Sequence, residues 1–367
     1  MSKVRGIPSL TGIRGMAALW VMLYHAQQNS CVIFNLPLLH KIPEIRSGWR
    51  GVDLFFMLSG FILMYAHGAD FHVIRKKSLF RFTWQRFLRV YPLNTVVLLL
   101  IAVLVAFQPG FIAWQRLTFE ASDFTLVAFL RTLFLATRWF LPGSGDWNQP
   151  VWFLSLEILA YIIFPWLAFC ALRIARKWQF IGLAALCLAG SFAILDANQV
   201  AFSNCIGQIA VVRMVSCFAA GMAIQRLWAL DTESAKKWAG WITAAAVAGI
   251  LIADLLPRGG LAFNFLFASL LYGLAFQQGA INRLLSSRSM VFFGKISFPL
   301  YLIHVIPLLW LRYFLQANGA AYTSLQKLAA LACWAMGCIL AATLLHFFVE
   351  KPLHALGRKW AGERVPQ

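Results

Sequence analysis

Apolar stretches long enough to cross a bilayer recur along the whole chain, and nothing else in the sequence limits its fold as strongly. A helix rises about 1.5 Å per residue, so about 20 consecutive apolar residues match the hydrocarbon core. Such stretches lie near residues 10–28, 52–68, 88–107, 151–172, 179–196, 207–228, 239–256, 261–279, 296–315 and 326–349. They predict an all-α polytopic integral membrane protein of about ten transmembrane helices. Of the 367 residues 61% are hydrophobic and 12% charged, which is not the balance of a soluble protein. No polar block is large enough for a separate soluble domain, so residues 1–367 are expected to form one membrane domain. The first run carries Arg14 and lacks a convincing small-residue cleavage site, so it reads as a span rather than a cleaved signal. The segment 124–140 is apolar but interrupted by Arg131 and Arg138, which fits a span, a re-entrant piece or an interfacial helix.

The formal net charge of +19 orients the chain, because Lys and Arg collect on the cytoplasmic side of bacterial membranes. With Lys3 and Arg5 inside, ten spans put every dense basic loop on that face: Arg75 to Arg89, Arg173 to Lys177, Lys236 and Lys237, Arg283 and Arg288, and the tail from Lys351 to Arg364. Both termini are then cytoplasmic, in a bacterial inner membrane. A full crossing at 124–140 would put the later basic loops outside, which favours a segment that does not cross. Topology alone accounts for most of these charges, although the loop at 75–89 holds more than topology requires. The basic residues are divided among short loops, so a nucleic-acid partner is excluded.

Several polar residues stand where lipid makes them costly. Arg14 and His25 share the first span, eleven positions apart. That spacing is about 20° past three turns, so both project from one face, about 16 Å apart along the axis. Glu157 lies inside "WFLSLEILAYIIF", where a lone carboxylate needs a partner. Asp53 and Ser59 in "GVDLFFMLSGF", Arg213 in "GQIAVVRMVSCF" and His304 in "FPLYLIHVIPL" add polar groups on three further spans. Together they have the makings of a polar interior site, while any one of them could be glue between helices.

No H-E-x-x-H spacing supports a metal, no P-loop or G-x-G-x-x-G supports a nucleotide site, and no G-x-S-x-G elbow marks a serine hydrolase. The seven cysteines (Cys31, Cys170, Cys187, Cys205, Cys217, Cys333 and Cys338) show no paired spacing and read as small core residues. What remains is His and Glu for proton transfer and Arg for anions.

"PSLTGIRGMAALWVMLYH", in which Arg14, ten residues and His25 follow one another, resembles the opening of the acyltransferase-3 membrane proteins. "RGVDLFFMLSGFIL", "RFLRVYPL", "WFLSLEILAYIIFP", "VRMVSCFAAGMAI", "GKISFPLYLIH" and "FFVEKP" continue the likeness in family order over nearly the whole chain. The resemblance implies acyl transfer, commonly of acetyl from acetyl-CoA, to a sugar hydroxyl of an exopolysaccharide or O-antigen repeat unit, with no metal. It implies Arg14 and His25 as catalytic residues, His25 as general base, with Glu157 orienting or polarising the imidazole or binding the sugar. An acyl-enzyme at Ser59 stays open beside a packing role. Arg86 and Arg89 match the family's basic motif and, with Arg75, Lys76 and Lys77, form the expected dock for the phosphates of an acyl-CoA. Asp53, Ser59, Arg213, Trp147 and His304 are the expected substrate contacts. Trp114, Trp139 and Trp147 offer faces for a sugar ring, or form an interfacial aromatic belt. Some family members carry a further hydrolase-type domain at the C-terminus, which is not expected here. The expected partners are acyl-CoA, a sugar or lipid-linked glycan, the bilayer and proteins of polysaccharide assembly. Succinyl is a second candidate for the transferred group. A transporter or flippase of a lipid-linked glycan is the main alternative, and a subunit of an export complex is a third.

Overall fold

Glycine, proline and basic residues bound the apolar runs, and within those bounds the backbone satisfies its own hydrogen bonds as helix. The computed structural model describes residues 6–33, 45, 47–111, 113, 124–138, 147–197, 208–231, 233–255, 260–317 and 322–360. Among them it is helical, with no strand. The helices are α1 (Pro8–Ile33), α2 (Gly51–His67), α3 (Lys76–Phe107), α4 (Leu126–Leu133), α5 (Val151–Ala171), α6 (Lys177–Ala197) and α7 (Gln208–Ala229). They continue with α8 (Glu233–Leu255), α9 (Gly260–Ala275), α10 (Gly279–Leu285), α11 (Arg288–Ile303), α12 (Val305–Ala317), α13 (Ser324–Leu345) and α14 (Lys351–Trp360).

The expected spans fall on helices, 296–315 on two of them, but not each helix is long and apolar enough to cross a membrane. Among the described residues seven pass that test, and the bent pair α11 and α12 makes an eighth. α1 is absent from the seven, and α9, at 16 residues, is short. In α4 only eight residues are helical, about 12 Å of rise, too short to cross. Lys3, Arg5, Trp114, Trp139, Arg364, Cys31 and Cys205 lie outside the residues whose side chains are described.

The chain packs as two units, one of Met1–Leu19, Trp49–Phe82 and Leu159–Lys295, the other of Trp20–Gly48, Thr83–Ile158 and Ile296–Gln367. In the first, α7 is the hub, packed on α2, α6 and α9, while α8 lies on α9. Glycines set the closest approaches. A Cβ on Gly60 of α2 would lie 2.0 Å from the carbonyl of Phe218, and one on Gly221 of α7 would lie 2.0 Å from that of Met57. In the same unit, a Cβ on Gly15 of α1 would meet Gly294 at 2.6 Å, and one on Gly294 would meet the Thr11 carbonyl at 2.0 Å. The glycines in "TGIRG" and "FFGKIS" therefore let two backbones touch.

The second unit holds α12, α13, most of α3 and the first two turns of α5. Its main irregularity is a bend of 51° between α11 and α12, at His304. Pro307, in the first turn of α12, has no N–H for the Ile303 carbonyl and its ring crowds that carbonyl, so one straight helix cannot run through. The backbone groups freed by the bend are taken up by side chains. Asn148 Nδ2 donates to the Leu302 carbonyl at 2.7 Å, and Trp334 Nε1 of α13 donates to the His304 carbonyl at 3.1 Å.

Candidate active site: a histidine pair at a broken span

The bend carries His304 out of regular helix and onto His25 of α1. His304 Nε2 lies 3.1 Å from His25 Nδ1, and the ring centroids are 5.0 Å apart. The His304 side chain is fully buried and His25 half-buried. The partners fix the tautomers. His304 Nδ1 is 2.7 Å from the carbonyl of Tyr301, which can only accept, so Nδ1–H donates there and Nε2 carries a lone pair. His25 Nδ1 faces that lone pair and, at 3.0 Å, the carbonyl of Val21. Both are acceptors, so His25 also carries its proton on Nδ1, and its Nε2 is the basic nitrogen. An imidazole held in one tautomer by a second imidazole, itself tied to backbone, is the arrangement a general base needs. Tyr301 and Phe153 pack edge to face beside it, with centroids 5.3 Å apart.

Glu157 is half-buried on the second turn of α5 in the same unit. Trp147 binds the short helix α4. Its Nε1 donates to the Thr125 carbonyl at 2.9 Å, its backbone N–H to Thr132 Oγ1 at 3.2 Å, and its ring packs on Phe124 and Phe129. Arg86 and Arg89 are half-buried on α3, also in this unit.

Other expected site residues stand in the first unit. Arg14 donates from Nε, at 3.1 Å, and from Nη2, at 2.5 Å, to the Gly294 carbonyl, at the level where the glycines bring α1 against α11. Asp53 and Arg213, both expected to touch substrate, hold each other. The contacts are 2.6 Å from Nε to Oδ1 and 3.1 Å from Nη2 to Oδ2, with side chains 0% and 3% exposed. Arg213 also lies over the Trp49 ring, 5.1 Å from its centroid, and the Arg50 guanidinium lies 4.4 Å from the same centroid. Ser59 stands inside α2, beside the Gly60 contact. Arg75, Lys76 and Lys77 are exposed where α3 begins. Among the described residues no cluster of His, Cys, Asp and Glu is arranged to hold a metal.

Sequence reasoning put His304 among the substrate contacts and passed over Pro307, Trp334 and Asn148, which hold it. The signal that could have found them is "LIHVIP", a proline three residues after an intramembrane histidine, which marks a broken span.

Fold and pair together describe a helical, multi-pass membrane protein in which two imidazoles meet at a broken span. The family model described as "Acyltransferase domain" matches residues 7–347, and the chain belongs to that acyltransferase-3 family. Among its relatives, Acyltransferase MdmB of Streptomyces mycarofaciens is 26% identical over 97% of this chain and 94% of its own length. Putative peptidoglycan O-acetyltransferase YrhL of Bacillus subtilis is 25% identical over 98% of this chain and 57% of its own. O-acetyltransferase OatA of Staphylococcus aureus is 21% identical over 98% of this chain and 59% of its own. The chain thus spans somewhat over half of the last two. No solved structure matches it.

Proposed function

We propose that this chain is an O-acyltransferase of a bacterial inner membrane, with both termini cytoplasmic, that moves an acetyl group from cytoplasmic acetyl-CoA to a sugar hydroxyl of an exopolysaccharide or O-antigen repeat unit on the outer side. The observation that carries the reading is the His25–His304 pair, which leaves a basic nitrogen at His25 Nε2. The names of the relatives, two of them O-acetyltransferases, support the reaction class.

In this scheme the acceptor hydroxyl approaches the thioester carbonyl while His25 Nε2 takes its proton. The new C–O bond forms, the C–S bond breaks, and the leaving thiolate takes the proton back from His25. His304 is a positioning residue: it holds the His25 tautomer and accepts part of the charge that develops on the ring. Glu157 steadies the acceptor sugar. Arg14 ties α1 to α11 through the Gly294 carbonyl. Arg86 and Arg89 bind the donor's phosphates, and Arg75, Lys76 and Lys77 add an attractive field.

The test compares the surface polysaccharide of a deletion strain complemented with wild type or with His25→Ala at matched expression, scoring O-acetyl groups by proton NMR. Acetyl signals that return only with wild type support the reading, and the altered sugar identifies the acceptor. Loss of polysaccharide from the surface with acetylation intact would replace it with a transporter. Purified protein given acetyl-CoA, other short acyl-CoAs and non-CoA acyl donors identifies the donor.

A further inference from the structure

The bend that carries His304 is held by an amide with two polar ends, and the protein uses only one of them. Asn148 is 1% exposed. The Leu302 carbonyl can only accept, so the atom 2.7 Å from it is the Nδ2 donor, and Oδ1 is left as an acceptor. Among the described residues no group donates to that oxygen. A buried amide oxygen left without a donor is costly, and folded proteins nearly always satisfy one.

Asn148 is fixed on both sides. Its own carbonyl accepts from the Val151 N–H at 3.0 Å, in the turn that opens α5, and the N–H of Trp147 before it is given to Thr132 Oγ1 at 3.2 Å. The segment 132–138 runs alongside, where the Arg138 N–H donates to Ser155 Oγ of α5 at 3.1 Å. To reach that bond the chain passes Leu135, fully buried and held at a φ of 55°, a left-handed conformation that a residue with a side chain keeps only where its surroundings impose it. Two residues on stands Thr137, 4% exposed, whose Oγ1 also has no hydrogen-bond partner. Two buried oxygens without partners thus lie on adjoining segments, and one of them belongs to the side chain that holds the turn before His304. All of these residues belong to the second unit.

We infer that Asn148 Oδ1 is a binding group for the acceptor sugar: it receives an O–H of the sugar other than the one His25 deprotonates, with Thr137 Oγ1 as a second contact. An amide oxygen can only accept, so its partner must bring an O–H or N–H, and a sugar ring brings several. Asn148 opens α5 at the end farther from the basic loop at Arg173 to Lys177, which is the outer end in the orientation proposed above and the side on which the acceptor arrives. A site built to bond a hydroxyl discriminates strongly against molecules that leave its polar atom unpaired, so this contact favours transfer to sugar over transfer to water. The inference rests on the reading of the chain as an O-acyltransferase.

The experiment gives acetyl-labelled acetyl-CoA to permeabilised membranes of the deletion strain, which hold the unacetylated acceptor, complemented with wild type, Asn148→Leu, Thr137→Val or Trp334→Phe at matched expression and with melting temperatures measured. Label in polysaccharide reads transfer to sugar, and label in free acetate reads transfer to water. In Asn148→Leu the ratio of the two is expected to fall roughly tenfold, the worth of one hydrogen bond to a buried group. Thr137→Val, which removes only a hydroxyl, should lower it about threefold and carries the test if Asn148→Leu does not fold. Trp334→Phe removes the other donor at the bend and no acceptor, so it should lower both products together and keep the wild-type ratio. A wild-type ratio in Asn148→Leu, or an equal shift in Trp334→Phe, would overturn the inference. So would a raised KM for acetyl-CoA at an unchanged ratio, which would give the amide oxygen to the N–H groups of the donor's pantetheine arm. Wild type that yields neither labelled product would instead overturn the acyl-transfer reading itself.

Discussion

At the scale of single residues, the two histidines separate base from positioner, and their variants should differ accordingly. His25→Ala is expected to lower kcat by about 10²–10⁴-fold, the usual worth of a general base, with the melting temperature little changed. His304→Gln should lower kcat less, on the order of 10-fold to 100-fold, with the KM for donor unchanged, because binding survives and only the tautomer is lost. A purified-enzyme assay reading kcat and KM separately checks both. Asp53 and Arg213 make a different kind of prediction. Asp53→Ala leaves a guanidinium buried without its carboxylate and should cost about 3–5 kcal/mol, read as a lower melting temperature in detergent. Asp53→Leu combined with Arg213→Met should recover most of that loss, since two packed apolar side chains replace a buried pair at little net cost. The sequence marked all four residues as costly in lipid. It could not pair them, because which two polar groups meet depends on helix rotation, and low-charge apolar runs carry little periodic signal for rotation.

At the scale of elements, the close glycine contacts and the broken span are the parts whose change is easiest to read. Gly60→Ala pushes a methyl group against the Phe218 carbonyl, which is backbone and cannot move aside, so α2 and α7 must separate. A cost of about 1–3 kcal/mol is expected, measured as loss of folded protein on heating. Pro307→Ala works in the opposite sense on stability and activity. It restores an N–H for the Ile303 carbonyl and lets α11 run straighter into α12, which takes His304 away from His25. The variant is expected to melt at or above the wild-type temperature and to lose acyl transfer, and an active Pro307→Ala would show that the bend does not place the base. The helical, membrane-type class was legible because the length and composition of the apolar runs mark it. The bend within residues 296–315 was not, since an apolar run looks continuous whether or not its helix is.

At the scale of the whole molecule, the distribution of basic residues makes the arrangement across the membrane testable. With the N-terminus inside, a fluorescent protein fused after Leu230 should fluoresce, and alkaline phosphatase fused after Ala197 should be active. The reverse pattern would place His25 toward the cytoplasm and remove the reason for an outer acceptor. Charge made this orientation readable from the sequence, while the site's internal order was not, because it lies in contacts between residues as far apart as His25 and His304. The π turn from His346 to Glu350, which joins α13 to α14 before Pro352, has a consequence for how the chain tolerates changes of length. Deleting one residue from 346–350 would close this wide turn into an α turn, and because the π turn already takes up one extra residue, α14 would keep nearly the same face toward α3, with Gly357 still at Leu88. A one-residue deletion there should therefore disturb α14 less than a one-residue deletion in the regular turns of α13, which would rotate all that follows by about 100°.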